Sequence, residues 1–93
     1  MNNGYLGMVR QWQELFWDKR YSHVDMGRWP DFVKVAEAYG ATGIRLDDKH
    51  TLVDGMKEAL ATEGPVLVDV RVTREENCYP MIPAGQPARN MVG

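Results

Sequence analysis

Residues 66–72 read Val-Leu-Val-Asp-Val-Arg-Val, with valine at every second position. Strict alternation of β-branched residues is the pattern of a pleated strand, and it constrains the fold of this chain more than any other feature. Ahead of it, Leu52, Met56, Ala59 and Leu60 recur at helical spacing, and Gly64-Pro65 ends that helix. Gly55 inside the helix weakens it slightly. Before the helix, Gly43-Ile44-Arg45-Leu46 reads as a short strand, and Asp47 or Asp48 is placed to cap the helix through a carboxylate. Strand, helix, strand between Gly43 and Val72 is a βαβ unit, with parallel strands and a right-handed crossover. The class is α/β. A parallel sheet needs both faces covered and both edges partnered, and two strands supply neither. Something that completes the sheet is expected to be missing from this chain.

Upstream lie two more helices. Tyr5, Met8, Val9, Trp12 and Phe16 fall at spacings of three and four, with Gln11, Gln13, Glu14, Asp18 and Lys19 as much of the polar remainder. Leu15 and Trp17 widen the apolar face, so this helix expects contacts on more than one side. Tyr21–Trp29 has no period and reads as a loop. Asp31, after Pro30, opens a helix with Phe32, Val35, Ala36 and Tyr39 on one face, and Gly40 stands where a left-handed C-cap belongs. From Thr73 onward, Pro80, Pro83, Gly85 and Pro87 make a non-periodic tail. The chain thus divides into an α/β body, 1–72, and a tail, 73–93.

With 93 residues, one small core is the ceiling, and such a chain buries roughly two-thirds of its unfolded surface. Eleven Lys and Arg against thirteen Asp and Glu leave a net charge of −2, which gives no electrostatic reason to propose nucleic acid or an anionic membrane as partner. One Cys excludes an internal disulfide framework and a Cys-rich zinc site. No apolar run approaches a membrane span, and the N-terminus lacks the pattern of a secretory signal. A reducing, soluble compartment is the expectation. Three Trp and six Met are many for this length and suggest more apolar surface than a small core needs.

Few residues carry chemistry in their own right. Asn2-Asn3 precedes the first helix: an Asn is a good N-cap, and its amide oxygen is also a hard ligand for Mg²⁺ or Ca²⁺, with Gly4 letting the backbone bend. His23 and His50 are isolated from each other and from Cys78, and no nucleophile–base pair is evident. Arg10 and Arg20 suit either an anion or surface salt bridges. Asp69 lies among valines; inward it needs a partner, while a polar outer strand face is the simpler account.

The run Asn2-Asn3-Gly4-Tyr5-Leu6-Gly7-Met8-Val9-Arg10-Gln11-Trp12-Gln13 resembles the thiamine-diphosphate-binding domain of the acetolactate synthase catalytic subunit. Four further stretches are similar in the same order: Leu15-Phe16-Trp17 with Arg20-Tyr21-Ser22-His23, Pro30 through Gly40, Gly64 through Val70, and Pro80-Met81-Ile82-Pro83-Ala84-Gly85. The resemblance covers nearly the whole chain, but only the C-terminal end of the family's subunit. It implies an incomplete three-layer parallel-sheet domain of the thiamine-diphosphate-binding fold.

The resemblance also assigns roles. Asn3 would give its side-chain oxygen, and Tyr5 its backbone carbonyl, to Mg²⁺. Asn3, Gly4, Tyr5, Leu6, Gly7 and Met8 would line thiamine diphosphate, with the helix N-terminus toward its diphosphate. Met8, Val9 and Trp12 would form the substrate channel, and Ala84 and Gly85 would close over it. The implied activity joins two pyruvates, or pyruvate and 2-oxobutanoate, with loss of carbon dioxide, on the way to branched-chain amino acids. The implied partners are the rest of the catalytic subunit, further copies in a homodimer or tetramer, and a regulatory subunit. FAD would bind outside this segment. The implied location is the cytoplasm in bacteria and a plastid or mitochondrion in eukaryotes. The Gly-Asp-Gly half of the metal motif, the strand leading into Asn2 and the glutamate that serves the cofactor pyrimidine are not in the 93 residues. The chain alone is therefore expected neither to bind the cofactor tightly nor to turn over pyruvate. The alternative is a non-catalytic α/β interaction module derived from that domain.

Overall fold

The computed structural model describes residues 1–27 and 30–93. Its elements, in order, are α1 (Gly7–Phe16), α2 (Phe32–Ala38), β1 (Thr42–Leu46), α3 (Leu52–Ala61) and β2 (Val66–Val70), followed by a 3-10 turn at Ala88–Asn90. The loop between α1 and α2 is irregular as expected over 21–27; Arg28 and Trp29 lie outside the described residues.

β1 and β2 pair in parallel, Thr42 opposite Val66 and Leu46 opposite Val70. The pairing does not stop at these two strands. The Asn2 N–H donates to the Val70 carbonyl at 2.7 Å and the Val72 N–H to the Asn2 carbonyl at 3.2 Å. This parallel bridge between Asn2 and Arg71 makes β2 the middle of three segments.

Alternation along β1 sends Gly43 and Arg45 to one face and Leu46 to the other. α2 packs on the first face: a Cβ at Gly43 would stand 2.7 Å from the Val33 carbonyl oxygen, so only glycine admits this approach. α3 packs on the second. A Cβ at Gly55 would run into the Leu46 side chain, and this close passage is why a glycine sits inside α3. The two helices and the sheet between them form the incomplete three-layer arrangement.

Helix ends follow local chemistry, with one departure. Asp31 Oδ1 accepts from Val33 N–H at 3.1 Å and Lys34 N–H at 3.4 Å, an N-cap for α2. Gly40 ends α2 at φ 78°, as its position predicts. Neither Asp47 nor Asp48 caps α3, however. The cap position belongs to Thr51, whose side chain makes no cap bond. Asp48 instead ties the turn ahead of it, accepting from His50 N–H at 2.9 Å.

α1 turns its polar side inward. Arg10 and Gln11 are buried, while Met8, Val9, Trp12 and Phe16 of the helically spaced apolar stripe stand 41–49% exposed. Trp17 is exposed too. Likewise Tyr39 of the α2 stripe and Leu60 of the α3 stripe face solvent. Buried apolar side chains among the described residues are Val24, Ala36, Leu46 and Met81. The radius of gyration is 16.9 Å, against roughly 12 Å for a compact chain of this length. This open shape is the structural counterpart of the Trp and Met surplus. No described helix is long and apolar enough to cross a membrane.

Candidate functional site

The segment 2–6 is built from two consecutive side-chain turns. Asn2 Oδ1 accepts from Gly4 N–H at 3.1 Å, and Asn3 Oδ1 accepts from Tyr5 N–H at 3.1 Å. Gly4 takes φ 73°, which glycine adopts without steric cost. Neither Asn caps α1. The cap position is Leu6, which has no side-chain bond to offer, so the first N–H groups of this ten-residue helix receive no side-chain cap. The N-cap reading of Asn2-Asn3 is thereby corrected: both amides shape the turn that leads into α1.

The turn is fixed from both sides. Asn2 Nδ2 donates to Asp69 Oδ1 at 2.9 Å, and Asn3 Nδ2 to the Arg74 carbonyl at 3.3 Å. Asp69 is 4% exposed, which overturns its reading as part of a solvated strand face. Its cross-strand neighbour Arg45 comes within 3.5 Å of Oδ2, and Arg71, two residues along the same face, within 3.2 Å. Oδ2 still lacks a hydrogen bond of good geometry. Gly7 completes the cradle, because a Cβ there would stand 3.1 Å from Asn3 Nδ2.

Tyr5 links the turn to the loop after α1. Leu6 N–H donates to the Val24 carbonyl at 2.9 Å and Met26 N–H to the Gly4 carbonyl at 3.0 Å. Two guanidiniums approach the Tyr5 ring, Arg74 at 4.3 Å and Arg10 at 5.2 Å from its centroid. Arg74 is held by Asp25 at 3.0 Å, a hydrogen bond that leads the rise of its pKa above the ordinary value.

Arg10 is no surface anion site. It pairs with Glu14 at 2.8 Å and lies over the Tyr21 ring at 4.7 Å. Burial pushes the Glu14 pKa upward, but hydrogen bonds from Asn77, Arg10 and Tyr21 outweigh it and hold the carboxyl below its usual value. Arg20, by contrast, is exposed and near Asp18 at 3.7 Å. Ser22 Oγ lies 2.6 Å from His23 Nδ1. Both are exposed, and Asp25, lining the same cleft, is already taken by Arg74.

Asn2, Asn3, Gly4, Gly27, Arg71, Val72 and Arg74 line an open cleft of about 370 Å³. Among the described residues no three His, Cys, Asp or Glu gather to hold a metal. The turn itself offers neutral oxygens: an amide oxygen has two lone pairs, and the Tyr5 N–H uses one on Asn3. Such oxygens suit a hard cation whose neutralising charge comes from phosphates. The residues present therefore fit half of a metal–diphosphate site. Met8, Val9 and Trp12 lie exposed on α1 beyond the turn. Ala84 and Gly85 stand in an exposed turn of the tail, closed by Gln86 N–H donating to the Pro83 carbonyl at 3.0 Å, with Gly85 at φ 77°. Asp69 carried only the signal of a carboxylate among valines, and Arg74 and Gln11 carried none as site-forming residues, because their partners Asn2, Asp25 and Cys78 lie far away along the chain.

Comparison with known proteins gives the same direction. Residues 1–70 match the family model described as "Thiamine pyrophosphate enzyme, C-terminal TPP binding domain". The chain is 46% identical over its full length to an acetolactate synthase large subunit of Parasynechococcus marenigrum and 45% to that of Cyanidium caldarium, covering 15% and 16% of those proteins. It is 44% identical, over 99% of its length, to a mitochondrial acetolactate synthase of Schizosaccharomyces pombe, covering 14% of that protein. The chain thus spans about one-sixth or less of the curated relatives it matches. With an incomplete α/β body, a doubled Asn turn and a matching family model over most of its residues, the chain belongs to the thiamine pyrophosphate enzyme family, as its C-terminal TPP-binding domain.

Proposed function

We propose that these 93 residues are the thiamine-diphosphate end of an acetolactate synthase catalytic subunit. Such an enzyme condenses two pyruvates, or pyruvate and 2-oxobutanoate, with decarboxylation. The observation that carries this reading is the Asn2–Asn3 turn running into an α1 N-terminus without a side-chain cap, beside a cleft flanked by Arg71 and Arg74.

In this reading Asn3 Oδ1 and the Tyr5 carbonyl hold Mg²⁺ against the diphosphate. Gly4, Leu6 and Gly7 leave room for the phosphates, and the positive end of α1 faces them. Thiamine diphosphate, when bound, supplies the carbon nucleophile and electron sink for decarboxylation. Met8, Val9 and Trp12, already facing away from the body, form the apolar wall of the substrate channel and keep water from the reacting carbon. The turn with Ala84 and Gly85 forms its other side. In this division the α/β body is 1–72 and the closing tail 73–93. The carboxylate of the Gly-Asp-Gly half of the metal motif, the glutamate that serves the pyrimidine and the FAD site belong to the rest of the subunit. Its further partners are other copies, as a dimer or tetramer, and a regulatory subunit. It works in the bacterial cytoplasm, or in a plastid or mitochondrion of a eukaryote.

The outward apolar face of α1 also suits a second reading, a non-catalytic interaction module. A chimera separates the two. Residues 1–93 replace the matching segment of an acetolactate synthase large subunit, and acetolactate formation from pyruvate is measured with cofactor and Mg²⁺. Activity that disappears in Asn3→Ala supports the enzyme reading. A folded but inactive chimera overturns it in favour of the module.

A further inference from the structure

Gln11 is the most deeply buried side chain of the described residues, 1% exposed, on a helix whose apolar residues face outward. Both ends of its amide are used on one residue of the tail. Oε1 accepts from the Cys78 N–H at 2.8 Å, and Nε2 donates to the Cys78 carbonyl at 2.8 Å. A carboxamide gripping both polar atoms of one residue reproduces what a neighbouring strand would offer. Nε2 also lies 3.5 Å from the sulfur of buried Met81. One turn further along α1, Glu14 accepts from Asn77 Nδ2 at 3.1 Å. The start of the tail is held separately, through Arg74 on Asn3 and Asp25, whereas among the described residues the part past Cys78 bonds to itself: Met81 and Val92 exchange N–H···O bonds at 2.9 and 2.7 Å.

We infer that Gln11 is a positioning residue that docks the tail on α1. It thereby sets where the Pro83–Gln86 turn, with Ala84 and Gly85, stands relative to Met8, Val9 and the adjacent Trp12. The consequence for a substrate channel rests on the acetolactate synthase reading; the docking does not.

Amide hydrogen exchange on the 93-residue chain, without cofactor, tests the docking through two variants. Gln11→Met keeps the volume and removes both bonds. The Cys78 amide should lose about tenfold in protection, the equivalent of one net hydrogen bond, while the Thr42 and Arg71 amides, bonded to the Pro65 and Leu46 carbonyls across the sheet, keep theirs. Gln11→Glu adds a signature that volume alone cannot give. Protonated, its carboxyl offers one donor and one acceptor, as Gln does; ionised, it only accepts and repels the Cys78 carbonyl. Protection of Cys78, corrected for intrinsic exchange, should persist near about pH 4 and fall by about pH 7, because burial raises the pKa of the new carboxyl. The wild type, with Glu14 on the next turn, should show no such step. Cys78 protection unchanged in Gln11→Met, or a Gln11→Glu profile without the step, overturns the inference. If Gln11→Met exposes every amide, the Gln11→Glu titration decides alone. An inactive chimera would count against the enzyme reading only, and an unprotected Cys78 against the docking only.

Discussion

Asp69 Oδ1 accepts a 2.9 Å hydrogen bond from Asn2 Nδ2, tying the middle of β2 to the first turn of the chain across 67 positions of sequence. From its buried position Asp69 also faces Arg45, which it shares with Asp31, and Arg71. Asp69→Ala leaves Asn2 and both guanidiniums without this partner. Arg45 and Arg71 keep contact with water and Arg45 keeps Asp31 at 2.6 Å, so the loss is that of a buried hydrogen-bond partner, about 1–3 kcal/mol. Urea unfolding followed by circular dichroism should show a loss in that range. A midpoint indistinguishable from wild type would mean that the cluster contributes nothing.

Two carboxylates predict how acid acts. Burial works to raise the Glu14 pKa, yet its hydrogen bonds from Asn77, Arg10 and Tyr21 lower it overall. Asp31 behaves alike, with burial opposed by the Lys34 and Val33 amides and by Arg45. A depressed folded pKa contributes stability above the unfolded value, lost as pH falls through the folded one. Melting temperature should therefore hold near neutrality and drop below the ordinary carboxylate range. In Glu14→Gln the acid-side drop should be shallower, and a parallel curve would refute the assignment.

The orientation of α1 reverses the usual expectation for an amphipathic helix. Trp12→Ala and Phe16→Ala remove half-exposed side chains and should change stability by no more than about 0.5 kcal/mol, the range for surface sites. Arg10→Ala, which unpairs Glu14, should cost more. Thermal melts of the three variants rank them, and a Trp12 variant worse than the Arg10 one contradicts the described packing.

Gly55→Ala tests the seam between α3 and β1. Alanine favours the helix by about 0.8–1.0 kcal/mol, but its methyl meets the buried Leu46 side chain. Overpacking typically costs about 1–3 kcal/mol, so net destabilisation is expected. A stabilised variant would show that α3 shifts freely on the sheet.

The turn alone is expected to hold cofactor only weakly. Its oxygens are neutral, and no acidic cluster among the described residues completes a cation site. Calorimetric titration of the isolated chain with thiamine diphosphate and Mg²⁺ should detect no micromolar binding. Tight binding would mean that the turn is sufficient without further carboxylates.

The sheet and two of its helices were legible because local chemistry decides them: alternating valines for β2, the Asp31 cap and Gly40 for α2, the turn at Gly64. The burial of α1 was not legible. Periodicity identifies a helix and its faces, but which face turns inward depends on what it meets. Here the following loop and the tail offer polar partners, Tyr21, Asn77 and the Cys78 backbone, and the apolar stripe is left outside. The doubled Asn stood out as an unusual turn, but its bonding did not, since Asp69 and Arg74 reach it from the other end of the chain. The Asp47/Asp48 cap failed for a nearer reason: Asp48 had a competing backbone partner at His50.

The four buried apolar residues fall into two groups, Ala36 and Leu46 around the sheet, Val24 and Met81 beside α1 and the tail. Between these groups run the short stretch from Asn2 to Tyr5 and its neighbours Asp69, Arg71 and Arg74. The same few residues that shape the turn are therefore the joint between two half-cores. A cation or phosphate gripped there would stiffen the joint and tie the two halves more closely to each other.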